Sequence, residues 1–165
     1  VKLVQGDKLP QITLNLIDGG SLTLPEEMPT RYVRFFSIAE LVTILPPAVA
    51  SYEAKKDELA ELEVSVIAAT SDDRESTVKM AEESGLTMPI AYSVTEDQVS
   101  GFDPWYGDND HGHFIQPMEF LVTRGGSVYA SMYASGPIGR MAVEEAINGF
   151  IYRINRRKTL SGQST

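Results

Sequence analysis

The chain has 165 residues, a net charge of −9 and no cysteine. This length suits one globular domain, and the negative charge argues against binding to nucleic acid or to an anionic membrane surface, whose phosphates would repel it. The missing cysteine excludes disulfides, thiolate metal sites, iron–sulfur clusters and a cysteine nucleophile. The two histidines, His111 and His113, confine imidazole chemistry to one place.

Targeting and membrane segments are not apparent in the sequence. Residues Val1 to Pro10 lack the apolar stretch of a signal peptide, and no apolar run approaches the ~20 residues that a spanning helix needs. We therefore expect a cytoplasmic protein that has no membrane association and no cofactor. Residues 1–158 are predicted to form one domain, followed by a flexible tail over residues 159–165.

The first half of the chain alternates between short strands and a helix. Residues 12–24 alternate apolar and polar side chains around an Asp-Gly-Gly turn, which predicts a β-hairpin. The aromatic and β-branched segment Tyr32–Phe36 predicts a strand, and the nearly continuous apolar segment Val64–Ala69 predicts a central strand covered on both faces. Between them, Pro46-Pro47 suits the first turn of a helix whose apolar residues recur at helical spacing up to Leu62.

Two helix starts follow the central strand. Asp72, with Glu75 three residues later, predicts an N-cap, and Gly85 predicts the end of that helix. Thr95 and Gln98 form a capping-box pattern for a second, shorter helix.

The rest of the chain predicts a strand, a loop, a hairpin and a closing helix. Pro89–Tyr92 reads as a short strand and residues 103–115 as an irregular loop. Met118–Thr123 and Ser127–Tyr133 predict two strands joined by a glycine-rich turn, and apolar residues at helical spacing over Val143–Ile154 predict a closing helix. The order of elements predicts a thioredoxin-like, three-layer α/β/α sandwich with a mixed central sheet and an N-terminal β-hairpin.

Five segments stand in an order that resembles a known family: Gly6–Leu14, Phe35-Phe36, Ile67–Asp73, Met88–Ile90 and Gln116–Phe120. They resemble the start, the first two central strands and the later strands of peroxiredoxins of the alkyl hydroperoxide reductase/thiol-specific antioxidant (redoxin) group. The similarity extends over about residues 6–155. It implies the fold of these antioxidant oxidoreductases, a thiol peroxidase ancestry and a homodimer.

The residues that carry the family's reaction are replaced in this chain. The family places Pro-x-x-x-Thr-x-x-Cys after the Phe-Phe strand, and alignment without gaps puts Ile38, Val42 and Leu45 at the proline, threonine and cysteine positions. Pro46, which follows the cysteine position, is retained, and the position of the assisting arginine falls near Pro117. Because Leu45 has no lone pair with which to attack a peroxide, we expect no thiol peroxidase activity.

The former active-site region becomes a candidate binding site. It comprises Ile38, Val42, Leu45, Pro46, Gln116 and Pro117. The resemblance implies a cis peptide bond between Gln116 and Pro117, although a proline at the entry of a strand is also compatible with a trans bond. This region would form a shallow apolar pocket for a small hydrophobic ligand or a protein partner.

The histidines form a candidate metal site. Asp108, Asp110, His111 and His113 lie close together in the sequence, and imidazole with carboxylates suits zinc or a related transition metal. The alternative is a solvated loop with capping aspartates, since structural zinc usually takes four ligands.

A glycine-flanked loop before the last helix is a candidate anion or ligand site. Gly136, Gly139 and Arg140 could present backbone N–H groups and a positive charge to an anion. The alternative is an ordinary loop in which Arg140 pairs with a surface carboxylate.

These observations support a cysteine-less, peroxiredoxin-like protein that acts as a binding or structural module. An enzyme with non-thiol chemistry, metal-assisted through His111 and His113, is the alternative, and a regulatory subunit of a redox partner is a third possibility. Trp105 and Tyr106 are predicted to be core or interface aromatics, and an exposed aromatic rim would fit a homodimer.

Overall fold

The computed structural model describes residues 1–38, 53–110, 112–136 and 143–160. The strands of these ranges are β1 Ile12–Asn15, β2 Ser21–Leu24, β3 Tyr32–Ile38, β4 Val64–Thr70, β5 Ile90–Ala91, β6 Tyr106–Asn109, β7 Gly112–Ile115, β8 Met118–Thr123 and β9 Ser127–Tyr133. The helices are α1 Lys56–Glu61, α2 Arg74–Ser84, α3 Glu96–Val99 and α4 Val143–Leu160, with a 3-10 turn at Ser100–Phe102.

A five-stranded mixed sheet in the order β5-β4-β3-β8-β9 forms the centre of the fold. The pairs β5–β4 and β4–β3 are parallel, whereas β3–β8 and β8–β9 are antiparallel. β1 and β2 pair as the predicted N-terminal hairpin, with Ile12 opposite Leu24. The thioredoxin-like fold with a mixed sheet is therefore confirmed.

Apolar side chains cover both faces of this sheet. One face, with Phe35 and Phe120, packs against the β1–β2 hairpin and against Phe102 of the 3-10 turn. The other face packs against Leu59 of α1, Ala81 of α2, and Ile147 and Phe150 of α4. Because the side chains of a strand alternate between the two faces, the near-continuous apolar sequence of β4 fills both cores.

The helix ends agree with the predicted capping in part. Thr95 and Gln98 form the predicted capping box of α3, and Gly85 ends α2 in a left-handed conformation with φ of 65°. The N-cap of α2 is Asp73 and not Asp72, because Asp73 Oδ1 accepts the Ser76 N–H at 2.7 Å. The carbonyl oxygen of Asp72 instead accepts a hydrogen bond from Ser93 N at 2.8 Å.

The prediction of an irregular loop over residues 103–115 is wrong for most of that segment, which forms two strands. β6 and β7 form an antiparallel hairpin in which Tyr106 lies opposite Ile115 and Asp108 opposite His113. A side chain at Gly107 would clash, since its Cβ would lie 2.6 Å from Phe114 Cζ. Gly107 therefore allows Phe114 to cross the ribbon, and polar residues in both strands conceal the alternation that would have predicted them.

Helix α4 extends to Leu160, so its last two residues lie inside the segment that was predicted to be a tail. Residues 161–165 lie outside the described ranges. Among the described residues, no helix combines the length and the apolar character required for crossing a membrane.

Candidate functional site

The structure brings two parts of the predicted former active-site region together at the carboxyl end of β3. Ile38 is the last residue of β3, and its backbone pairs with Thr70 of β4. Ser37 lies opposite Met118 of the antiparallel strand β8, which places Pro117 beside Ile38. Val42, Leu45 and Pro46 lie outside the described residues.

The peptide bond between Gln116 and Pro117 is trans, so the cis bond implied by the resemblance is wrong. The extended backbone continues from β7 into β8 and hydrogen-bonds on both sides. Gln116 N donates to Trp105 O at 2.8 Å, and Pro117 O accepts from Ala134 N at 2.9 Å. A trans bond allows both of these ladder bonds in one extended segment, which is compatible with a proline at strand entry.

Gln116 is a buried amide at this end of the sheet. Its side chain is 5% exposed, and its Oε1 has no hydrogen-bond partner within the described part of the chain. The side-chain nitrogen lies against Gly107, where an added Cβ would approach it to 2.5 Å. The residue before Pro117 is therefore held by packing against the β6–β7 hairpin.

A buried ion pair lies on the sheet face that packs against α1, α2 and α4. Arg34 Nη2 of β3 is 2.5 Å from Glu119 Oε2 of β8, and each side chain is 1% exposed. In a strand, alternate residues share a face, so Glu119 follows Pro117 on the same face. On this face, the guanidinium group of Arg34 is paired with the carboxylate of Glu119.

The sequence analysis missed this pair, although each residue carries a signal. Arg34 interrupts the aromatic segment of β3, and Glu119 interrupts the apolar segment of β8. A charge inside a strand that is otherwise apolar predicts a buried and paired group. The sequence does not indicate that the partner of Arg34 is Glu119, because the pairing depends on how the two strands lie next to each other.

His113 is held between two carboxylates on the surface of the β6–β7 hairpin. Its Nδ1 is 2.9 Å from Asp108 Oδ1, and its Nε2 is 3.1 Å from Glu96 Oε1 of α3. The ring stacks on Tyr106 with 5.3 Å between the centroids and 18° between the planes. The hydrogen bond with Asp108 and the negative charges of Glu96 and Asp108 raise the pKa of His113 above its usual value of 6.5, against a smaller opposing effect of burial.

We expect Asp108→Asn to lower the pKa of His113 more than Glu96→Gln does, because the hydrogen bond with Asp108 is the larger cause of the increase. A group whose pKa rises on folding stabilises the fold below its unfolded pKa and loses this effect as the pH rises through the folded value. The stability difference between the native chain and Asp108→Asn should thus be present near pH 6 and vanish above the folded pKa. Titration of the imidazole resonances by NMR measures the shift.

His111→Asn assigns the two imidazole signals and serves as the control for this titration. An unchanged His113 pKa in both carboxylate variants would contradict the arrangement.

The predicted metal site is not assembled by the described residues. Both ring nitrogens of His113 face carboxylates, an arrangement that favours the protonated ring, whereas a metal needs the lone pair of a neutral imidazole. Within the described ranges, no group of three or more histidine, aspartate and glutamate side chains could hold a metal ion. Asp110 is exposed, and His111 lies outside the described residues.

The predicted anion site is described at one residue only. Gly136 is described, whereas Gly139 and Arg140 lie outside the described residues. The site therefore stays a prediction.

The aromatic residues Trp105 and Tyr106 are exposed, so the core alternative for them is wrong. Trp105 is 51% exposed and Tyr106 40% exposed. The ammonium of Lys2 lies 4.0 Å from the centroid of the Trp105 ring, a cation–π contact. The Trp105 backbone pairs with Gln116, so the two exposed aromatic residues form an aromatic rim that is connected to the former active-site region through the β6–β7 hairpin.

Comparison with known proteins identifies the fold through solved structures. No family model matches the chain, and no curated protein matches it significantly. Among solved structures, Peroxidoxin BcpB from Mycobacterium tuberculosis superposes with a TM-score of 0.78 at 14% identity, covering 91% of this chain and 97% of that chain.

Two further solved structures agree with this result. AhpC from Mycobacterium tuberculosis has a TM-score of 0.78 at 15% identity and covers 94% of this chain and 96% of its own. A reduced 2-Cys peroxiredoxin from Plasmodium vivax has a TM-score of 0.76 at 15% identity, with coverage of 94% and 99%. The chain therefore has the fold of the peroxiredoxins, which its sequence resembles, and it has this fold without a cysteine.

Proposed function

We propose that this protein is a binding module built on the peroxiredoxin fold and that it does not reduce peroxides through a thiol. The observation that carries the proposal is the combination of this fold with a sequence that has no cysteine. Attack on a peroxide O–O bond in such a fold needs a thiolate whose pKa is lowered by a helix N-terminus or a nearby cation. The leucine at position 45 supplies neither a nucleophile nor a group that can be oxidised and reduced again.

The proposed binding region is the carboxyl end of the parallel strands β3 and β4. In open α/β sheets, ligands bind beyond the carboxyl ends of the strands. Ile38 and Pro117 meet there, and the resemblance adds Leu45 and Pro46 to the same region. The side chains are apolar, so the favoured ligand is a small hydrophobic group or an apolar segment of a protein partner.

The buried pair of Arg34 and Glu119 supports a role in binding over one in thiol catalysis. A cation that assists a thiolate has to direct its charge at the sulfur. Arg34 directs Nη2 at Glu119, and both groups are almost completely buried. The positive charge on this face is therefore matched by a carboxylate from a neighbouring strand.

The direct test is an assay of hydrogen peroxide consumption with dithiothreitol as the reductant. We expect the rate with this protein to equal the rate of a protein-free blank. A cysteine-containing peroxiredoxin measured under the same conditions shows that the assay responds. Saturable, reductant-dependent loss of peroxide would contradict the proposal.

The proposed module is a cytoplasmic homodimer, and the exposed aromatic rim supports the dimer. Trp105 is the single tryptophan of the chain, and half of its side chain is exposed. Large aromatic residues are enriched at protein interfaces, where they bury much area at little entropic cost.

We expect light scattering after size exclusion to give the mass of two chains, and Trp105→Ser to lower that mass towards one chain. Leu160→Ser is the matched control, since Leu160 is an exposed apolar residue at the end of α4. A monomer at all protein concentrations would contradict the dimer and leave the peroxide result unaffected.

A further inference from the structure

A cavity of about 650 Å³ lies at the end of the sheet opposite to Ile38 and Pro117. Thr30 and Arg31, which precede β3, line it together with Glu63, which precedes β4, and with Arg124, which follows β8. Its volume falls in the range of small-molecule sites. This cavity belongs to none of the candidate sites described above.

One wall of the cavity is fixed by a tight turn between β8 and β9. Gly126 has a φ of +86°, and a Cβ there would lie 2.6 Å from Pro25 Cβ and 3.4 Å from Lys8 Cε. Leu9 N also donates to Gly126 O at 2.8 Å. The backbone next to Arg124 and the side chain of Lys8 are thereby held against each other, so two cationic residues share one wall.

The side chains around the cavity carry a small excess of positive charge, in contrast to the chain as a whole. Lys8, Arg31 and Arg124 line it together with two carboxylates, Glu26 and Glu63. Arg31 Nη1 lies 4.0 Å from Glu63 Oε2, which is the longest distance at which the two groups count as an ion pair. Within the described ranges, neither Lys8 nor Arg124 forms an ion pair with a carboxylate.

The cavity also has an apolar part. Pro25 is buried. Met28 is half-buried and packs against the core on the sheet face that carries Phe35 and Phe120. A site that combines cationic groups with an apolar wall is complementary to a ligand with an anionic group and a short organic body. Arginine and lysine together are well suited to phosphate and carboxylate groups, since arginine can bind them through two parallel hydrogen bonds.

We propose that this cavity binds a small organic anion whose phosphate or carboxylate group contacts Lys8 and Arg124 while its organic part packs on Pro25 and Met28. Arg31 adds a third positive charge to the site. The proposal is independent of the binding region at the carboxyl ends of the strands, so either site can exist without the other.

The experiment is an NMR titration of backbone amides with two probes, inorganic phosphate and citrate, which separate phosphate from carboxylate recognition. We expect saturable shifts centred on Lys8, Arg31 and Gly125 with at least one of the probes. The double variant Lys8→Gln/Arg124→Gln should weaken this binding at least tenfold. Both side chains are exposed, so the variant should retain the unfolding midpoint of the native chain.

The matched control is Lys79→Gln/Arg157→Gln, which removes one lysine and one arginine charge from exposed positions that do not line the cavity. Its affinity for the probe should equal that of the native chain. The proposal is overturned if neither probe gives a saturable shift, if the shifts lie elsewhere, or if both double variants lose affinity equally.

Discussion

Replacing Glu119 by alanine is expected to lower the free energy of unfolding by about 3–5 kcal/mol, because it breaks a buried ion pair by removing the carboxylate that contacts the guanidinium of Arg34. The pair is 2.5 Å apart, and neither side chain exposes more than 1% of its surface. Urea denaturation at neutral pH, with circular dichroism as the signal, measures the change.

Two further variants separate the ion pair from simple loss of packing. Arg34→Met/Glu119→Leu replaces both charges with apolar groups, and such replacements of buried pairs are often neutral or stabilising. We therefore expect the free energy of unfolding of the double variant to lie closer to that of the native chain than that of Glu119→Ala does. A double variant as unstable as Glu119→Ala would show that the cost comes from lost packing rather than from an uncompensated charge.

Phe102→Ala is expected to lower the free energy of unfolding by about 3–5 kcal/mol, the usual cost of a large cavity in an aromatic core. Phe102 is fully buried, and its ring centroid lies 5.4 Å from that of Phe120 and 6.0 Å from that of Phe35. Through these contacts the 3-10 turn is packed on the central strands β3 and β8.

The control for this variant is Tyr152→Ala, which removes an aromatic ring that is 59% exposed on α4. Its effect should stay within about 0.5 kcal/mol, as is common for surface positions. If Phe102→Ala cost no more than this control, Phe102 would not belong to the core that joins the turn to the sheet.

The two proposed binding regions lie at opposite ends of one sheet and differ in chemistry. The end with Ile38 and Pro117 is apolar at the positions where a peroxiredoxin carries its reaction. The other end gathers Lys8, Arg31 and Arg124 around a cavity in a chain whose net charge is −9. Loss of the thiol removes the reaction that the resemblance implies, whereas the ligand binding proposed for both regions needs no thiol.

Most strands and capped helix ends were predictable because their signals are local. The alternation of residues 12–24, the apolar run of β4 and the capping box at Thr95 each depend on residues that are neighbours in the chain. The β6–β7 hairpin was missed because its polar residues and Gly107 hide the alternation of a strand. Phe114 and Gln116 pack over Gly107, a contact that is visible only once the strands are paired.

The sequence by itself determined the order of the elements other than the β6–β7 hairpin, the resemblance to peroxiredoxins and the absence of the thiol on which their reaction depends. These properties follow from composition, local periodicity and the identity of single residues. Only the tertiary structure decided the rest: that Arg34 pairs with Glu119, that His113 lies between Asp108 and Glu96, that Gln116–Pro117 is trans and that three cations surround one cavity. Most of these features depend on residues distant in the chain that become neighbours through strand register and packing, and no local pattern specifies that distance.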